Sequence, residues 1–215
     1  MSTAGHAVVL HLQALNFAYA DQPALLADWS ASVGAGVTLL HGDTGSGSGK
    51  STLLRLMAGA LPANGGRLTL AGVHLDEDAK GYRRKLFFCD PATDAFDQRT
   101  ARDTTALLRV GDARFDEDRW QSLVEGFALS AHLDKPMYML STGSKRKVWL
   151  AAALASCGAL VLLDEPTGGL DAASVNCLWR ELMHAARQAG RAVVIASAER
   201  INRLPLAGVI ELPLG

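Results

Sequence analysis

Val37-Thr38-Leu39-Leu40-His41-Gly42-Asp43-Thr44-Gly45-Ser46-Gly47-Ser48-Gly49-Lys50-Ser51-Thr52-Leu53-Leu54-Arg55-Leu56-Met57 is the stretch that organises the rest of the chain. Its first four residues are apolar enough to be buried on both faces of a sheet, and its last five carry the leucine spacing of a helix. Between them lies a run of glycines and serines. Strand, Gly-rich turn and helix in that order form a cradle for phosphate. Glycines let successive backbone N–H groups converge on an anion, and the helix start adds its partial positive charge. In this frame Gly45, Ser46, Gly47, Ser48 and Gly49 line the cradle with Thr52 close by, Lys50 reaches the outer phosphates, and the Ser51 hydroxyl is a ligand for Mg²⁺. The strict spacing of such loops puts a glycine at position 44, where this chain has Thr44; the glycine is found at Gly42 instead. The loop is then two residues longer than usual. Either the extra pair bulges outward and leaves Gly47 to Thr52 in register, or the cradle is distorted.

Further along, Leu160-Val161-Leu162-Leu163 is a second buried strand, and it ends in Asp164-Glu165. Two carboxylates at the carboxyl end of a core strand complement the lysine loop: Asp164 can hold the magnesium shell and Glu165 can polarise a water. The strand is preceded by the nearly apolar run from Val148, which contains Ser156 and Gly158. That run falls short of the roughly 20 residues needed to span a bilayer and reads as a buried helix leading into the strand.

The remaining segments fit an α/β chain. Val8 to Leu12 and Leu15 to Tyr19 alternate as strands with a hairpin-like opening between them, and Arg67 to Leu70 is another short strand. Helical spacing places Trp120, Leu123, Val124 and Phe127 on one stripe, within a charged middle third from about residue 90 to 145 that reads as a helical lobe. Asp171 to Ala189 is an amphipathic helix with Val175, Leu178, Leu182 and Ala186 inward, and Val193 to Ser197 is a buried strand. Strands separated by helices imply a parallel sheet whose ligand sits beyond the strands' carboxyl ends.

Composition narrows the partners. The 215 residues include 21 Lys or Arg and 22 Asp or Glu, a net charge of −1, with a pI near 6.6. A duplex-binding domain usually shows a pI above about 9 and a basic face. Lys145-Arg146-Lys147 at a helix start is better read as a solvated face than as a nucleic-acid patch, and no nucleic-acid partner is expected. Cys89, Cys157 and Cys177 form no CxxC pair, and the six histidines show no metal-ligand spacing. The first ten residues lack the basic and apolar regions of a secretory signal. A cytoplasmic protein with reduced thiols is the expectation.

The order of these motifs resembles the ATP-binding subunits of ABC transporters over nearly the whole chain. Gly-Lys-Ser-Thr at 49–52 is followed by Leu140-Ser141-Thr142-Gly143-Ser144 at a helix start, and then by Leu160 to Asp171, LVLLDEPTGGLD. The resemblance implies one ABC-type domain over residues 1–215, a P-loop NTPase with a RecA-like parallel core, a small N-terminal antiparallel β lobe and an inserted helical lobe. It implies ATP and Mg²⁺ as cofactors, Glu165 as the catalytic carboxylate, Ser51 and Asp164 on the metal, and Tyr19 under the adenine. It also implies a homo- or heterodimer with an ABC ATP-binding subunit, in which Ser141 and Gly143 contact the γ-phosphate held by the opposite protomer. Gly168 to Asp171 would form the loop that follows the catalytic strand. The partner implied in the membrane is a separate transmembrane permease, so the subunit would lie against the inner face of the cell membrane.

Three positions depart from that family pattern. The switch histidine expected after Val193 to Ala196 is replaced in Ser197-Ala198-Glu199. The glutamine expected after Leu86-Phe87-Phe88 is replaced by Cys89 or Asp90, and the signature has Thr142 and Ser144 in place of Gly and Gln. Losing one positioned proton-handling or orienting group commonly costs on the order of 10²- to 10⁴-fold in rate, while binding through lysine and backbone donors survives. The expectation is an ATPase that is weak alone or dependent on its partner, with a nucleotide-gated regulatory subunit of little or no turnover as the alternative.

Overall fold

The computed structural model describes residues 7–42, 48–90, 93–109 and 115–212. At its centre is a five-stranded sheet in the order β6-β7-β8-β3-β9, with every neighbouring pair parallel. Its strands are β3 (Gly36–Gly42), β6 (Leu86–Phe88), β7 (Leu160–Asp164), β8 (Ala192–Ser197) and β9 (Leu206–Leu212). The three central strands are nearly continuous apolar runs, which is what burial on both faces demands. Their side chains alternate between two cores. Val37, Leu39, Val161, Leu163, Val193 and Ile195 pack with the helices on one face, and Leu40, Leu160, Leu162, Val194 and Ala196 pack on the other with helix α1 (Lys50–Met57) and the N-terminal strands.

The second sheet is antiparallel, in the order β2-β1-β4-β5, from β1 (Val8–Phe17), β2 (Leu26–Gly34), β4 (Gly65–Leu70) and β5 (Val73–His74). Here the structure corrects the hairpin expected within residues 8–19. Val8 to Phe17 is one strand, and the break in its alternation is a bulge: Ala14 takes φ +49°, its N–H turns to the Ser30 hydroxyl at 2.9 Å, and the register shifts between Leu12 and Leu15. One inserted residue flips the pattern to the other face and so imitates a turn in the sequence. Tyr19 lies beyond the strand, in the exposed turn that follows. The true partner, β2, is largely exposed; Trp29, Ala31 and Val33 alternate with Ser30 and Ser32 along it and face the core, a short signal that the sequence reading passed over. The edge strand β9 was passed over too, although Leu206, Ile210 and Leu212 recur at period 2 along it and pack against the cores.

Helices α2 (Ala79–Arg83), α3 (Ala101–Leu108) and α4 (Glu117–Gly126) precede two short 3₁₀ turns and the long helix α5 (Thr142–Ala155); α6 (Ala172–Ala185) follows β7. Side-chain caps set their starts: Thr100, Asp116, Ser141 and Asp171 each accept a main-chain N–H three residues on. The Ser141 cap sets the start of α5 at Thr142. Trp120, Leu123, Val124 and Phe127 are all buried against α5 and its neighbours. From Val148 to Ala155 every residue of α5 is buried, and its four alanines let the helix lie close to the sheet. Overpacking such positions typically costs about 1–3 kcal/mol.

Candidate functional site

The site forms where β3, β7 and β8 end together. Gly49, the residue before α1, has φ +84°, and a Cβ there would come within 2.6 Å of the Leu25 side chain. Glycine alone turns the chain into the helix at that point without strain. Immediately after it Lys50 is 9% exposed, and its Nζ donates to the Gly42 carbonyl at 2.9 Å and to Ser48 Oγ at 3.1 Å. The ammonium therefore stands across the mouth of the loop, tied to both of its ends. Gly45, Ser46 and Gly47 lie outside the described residues.

One position further, the Ser51 hydroxyl donates to Asp164 Oδ2 at 2.6 Å, which joins the start of α1 to the end of β7. A hydroxyl and a carboxylate so placed are hard oxygen donors. Mg²⁺ characteristically takes one or two protein oxygens and completes its shell with water and phosphate, so these residues fit it. Among the described residues there is no cluster of three or more His, Cys, Asp or Glu for any other metal. Tyr19, 41% exposed, bonds the Thr52 hydroxyl through its own at 2.9 Å and packs edge-on against Phe17. Its ring thus stands beside the first turn of α1.

Glu165 is held at several points. Its N–H donates to Ala196 O at 3.0 Å, its carbonyl accepts from Gly168 N–H at 3.1 Å, and its carboxylate accepts from Ala198 N–H at 2.9 Å. The same carboxylate lies 3.8 Å from Lys50 Nζ. Glu165 has φ +41°, a left-handed conformation that costs a residue with a Cβ roughly 1–2 kcal/mol and persists where the surroundings hold it. Where a switch side chain would stand, only the Ala198 methyl and main chain are present. At position 89 burial pushes the Cys89 thiol up to about 12, which keeps it neutral. Asp90 instead pairs with Arg55, accepting from Nε at 3.1 Å and Nη2 at 2.7 Å. This link from α1 to the end of β6 was not foreseen; the only sequence sign is that Arg55 follows Ser51 by four residues, on the same helix face.

Ser141 and Gly143 are not gathered with Lys50 and Ser51. Ser141 caps α5, and Gly143 sits against the loop after β7, where a Cβ would meet Gly169 O at 2.3 Å. The three cations that follow were expected to form a solvated face, and the structure corrects this. Lys145 pairs with Asp97 at 2.6 Å, Arg146 donates to the carbonyls of Glu165 (3.0 Å) and Gly168, and Lys147 pairs with Asp171. Each ties the helix to a neighbouring segment. Asp171 also accepts from the Ser174 amide and hydroxyl, and together these partners, Lys147 first, hold its carboxyl well below the usual carboxylate range.

Comparison with known proteins agrees with this geometry. The family model described as ABC transporter matches residues 28–168. A cytochrome c biogenesis ATP-binding export protein from Pseudomonas putida is 33% identical over 210 residues, covering 97% of this chain and 98% of the relative. The mouse ATP-binding cassette sub-family A member 7 is 31% identical over 156 residues, 71% of this chain but only 7% of that much longer protein. A solved ATP-binding subunit of an ABC transporter superposes with a TM-score of 0.78, covering 88% of this chain and 79% of its own, at 22% identity, and so speaks for the fold. A P-loop at the end of β3, paired carboxylates at the end of β7, and these matches together show that the chain belongs to the ATP-binding subunits of the ABC transporter family.

Proposed function

We propose that this chain binds MgATP at the junction of β3, α1 and β7, hydrolyses it slowly by itself, and uses closure onto a second ABC ATP-binding subunit to drive a separate membrane permease. The observation that carries the reading is the Ser51–Asp164 contact of 2.6 Å beside a lysine already held across the loop mouth. Lys50 exchanges its bonds to Gly42 and Ser48 for phosphate oxygens, and Ser51 and Asp164 hold the metal, which supplies charge neutralisation to the phosphates. Tyr19 offers its exposed face to the adenine. Glu165 takes the attacking water's proton at its carboxylate, and Ser141 and Gly143 present the start of α5 to a nucleotide held by the opposite protomer.

The slow rate follows from the Ala198 position. A main-chain amide can orient the Glu165 carboxylate, yet it brings no side chain to the γ-phosphate. The same observation favours a second reading, in which the subunit binds ATP as a regulatory signal and does not turn it over. In either case the partner docks on the side of the helical lobe, around Cys89 to Thr100. A cavity of about 540 Å³ lined by Leu86, Phe87, Leu108 and Phe115 together with Lys80, Arg84 and Arg109 flanks that stretch in the sequence. The protein then works at the inner face of the membrane. Among the described residues no helix is long and apolar enough to cross one.

A MgATP titration beside a steady-state phosphate-release assay tests the proposal. Saturable binding that Lys50→Ala abolishes, with turnover well below that of an ordinary transporter ATPase, supports it. Binding without any release selects the regulatory reading. Unchanged affinity in folded Lys50→Ala would refute both.

A further inference from the structure

Arg146 holds the peptide that places Glu165. Its guanidinium donates through Nη1 to two main-chain carbonyls, Glu165 O at 3.0 Å and Gly168 O. Those carbonyls bracket the turn closed by the Gly168 N–H to Glu165 O bond of 3.1 Å. Gly168 leaves room for the guanidinium, because a Cβ there would lie 2.2 Å from Nη1. At the other end of the same segment Gly169 O abuts Gly143, and Lys147 pairs with Asp171. The first two turns of α5 and the turn from Glu165 to Asp171 are thus joined at three places within one chain.

This arrangement has a mechanical consequence. Glu165 is a non-glycine residue at φ +41°, so its left-handed backbone relaxes unless something holds its carbonyl. Two of the groups that hold it are the Gly168 amide and Arg146. Arg146 rides on the helix that begins at Ser141 and Gly143, and a displacement of that helix start pulls directly on the Glu165 peptide. We propose that Arg146 is a positioning residue that fixes the Glu165 backbone and conveys engagement of Ser141 and Gly143 to the carboxylate of the same chain. The proposal rests on the reading of Glu165 as the group that activates water, and it adds the residue that keeps Glu165 in place.

The test uses Arg146→Met and Arg146→Lys in the full chain, with MgATP affinity, kcat and KM, and hydrogen exchange of the 165–170 segment with and without a nonhydrolysable ATP analogue. For Arg146→Met we expect a fall in kcat of about tenfold or more with affinity and KM changed less than about twofold. Exchange at the Gly168 amide should rise while the buried amides of Val148 to Ala155 keep their protection, and the analogue should no longer slow exchange in 165–170. Arg146→Lys, which keeps one donor group of shorter reach, should recover part of both effects. If turnover is too low to measure, the exchange data alone decide. Unchanged kcat and unchanged Gly168 exchange in a folded Arg146→Met would overturn the proposal. So would a parallel loss of affinity, kcat and protection throughout α5, which would make the residue a structural tie only. Loss of binding in Lys50→Ala alongside an inert Arg146→Met would sink this inference and leave the proposed function intact.

Discussion

Two regions meet at the ends of the parallel strands, and they hold their functional groups by different means. Around α1 the contacts run chiefly between side chains: Lys50 to Ser48, Ser51 to Asp164, Tyr19 to Thr52. Around Glu165 they run to the main chain, where the Ala198 amide receives the carboxylate, Arg146 grips two carbonyls, and Gly143 rests on a third. The first arrangement leaves side chains whose partners can be exchanged for phosphate and metal. The second fixes geometry without presenting a titratable group to the outer phosphate. The difference teaches that, under the proposed function, binding and turnover rest on separate parts of the molecule, the first built from side chains and the second from main chain.

The comparison can be broken most directly at Lys50. Lys50→Ala should weaken MgATP binding by about 100-fold or more, measured by calorimetric titration, while the melting temperature stays within a few degrees. Retained affinity would mean that the side-chain region is not where ATP is held. At the main-chain region, Gly143→Ala forces a Cβ to within 2.3 Å of a carbonyl oxygen that cannot swing away. A destabilisation of about 1–3 kcal/mol in urea unfolding is expected even in the isolated chain, because the clash lies within one protomer. A neutral result would mean that the loop at Gly169 yields freely.

Ala198→His sharpens the contrast from the other side. Restoring an imidazole beside the Glu165 carboxylate should raise phosphate release about tenfold with little change in ATP affinity, which would show that turnover is limited at this position. No gain would place the limit elsewhere, for instance at the lengthened loop.

The smallest effect is expected at Asp171. Its folded carboxyl lies below the ordinary range because Lys147 and Ser174 bond the charged form, so its contribution to stability is complete above about pH 4 and is lost as pH falls through the lower folded value. Asp171→Asn should lower the melting temperature by at most a few degrees at pH 7, and the two proteins should converge progressively below about pH 4. A constant offset down to the lowest measurable pH would show that the carboxyl is not held low.

Legibility in the sequence followed burial. Strands β3, β7 and β8 are recognisable as buried runs; Asp164 and Glu165 could be named because they end such a run, and Lys50 and Ser51 because they follow a Gly-rich loop at a helix start. The bulge at Ala14 interrupts the period of its strand, and β2 and β9 carry only short ones, Trp29-Ala31-Val33 and Ile210-Leu212, whose partners lie far away in the chain. Lys145-Arg146-Lys147 was misread for a related reason. Its partners Asp97, Glu165, Gly168 and Asp171 lie 19 to 48 residues away in the sequence, on segments whose approach depends on how α5 packs.

By itself the amino-acid order determined the parallel core, the phosphate loop with its lysine, the carboxylates at a strand end and the missing imidazole, because each is a local arrangement of residue types along one strand, turn or helix. Only the tertiary structure decided that Ser51 faces Asp164, that a backbone amide stands where the switch side chain is absent, and that Arg146 braces the Glu165 peptide. Those relations join residues brought together by packing, and main-chain groups, which are the same in every residue but proline, leave no trace in the sequence when they take over a side chain's place.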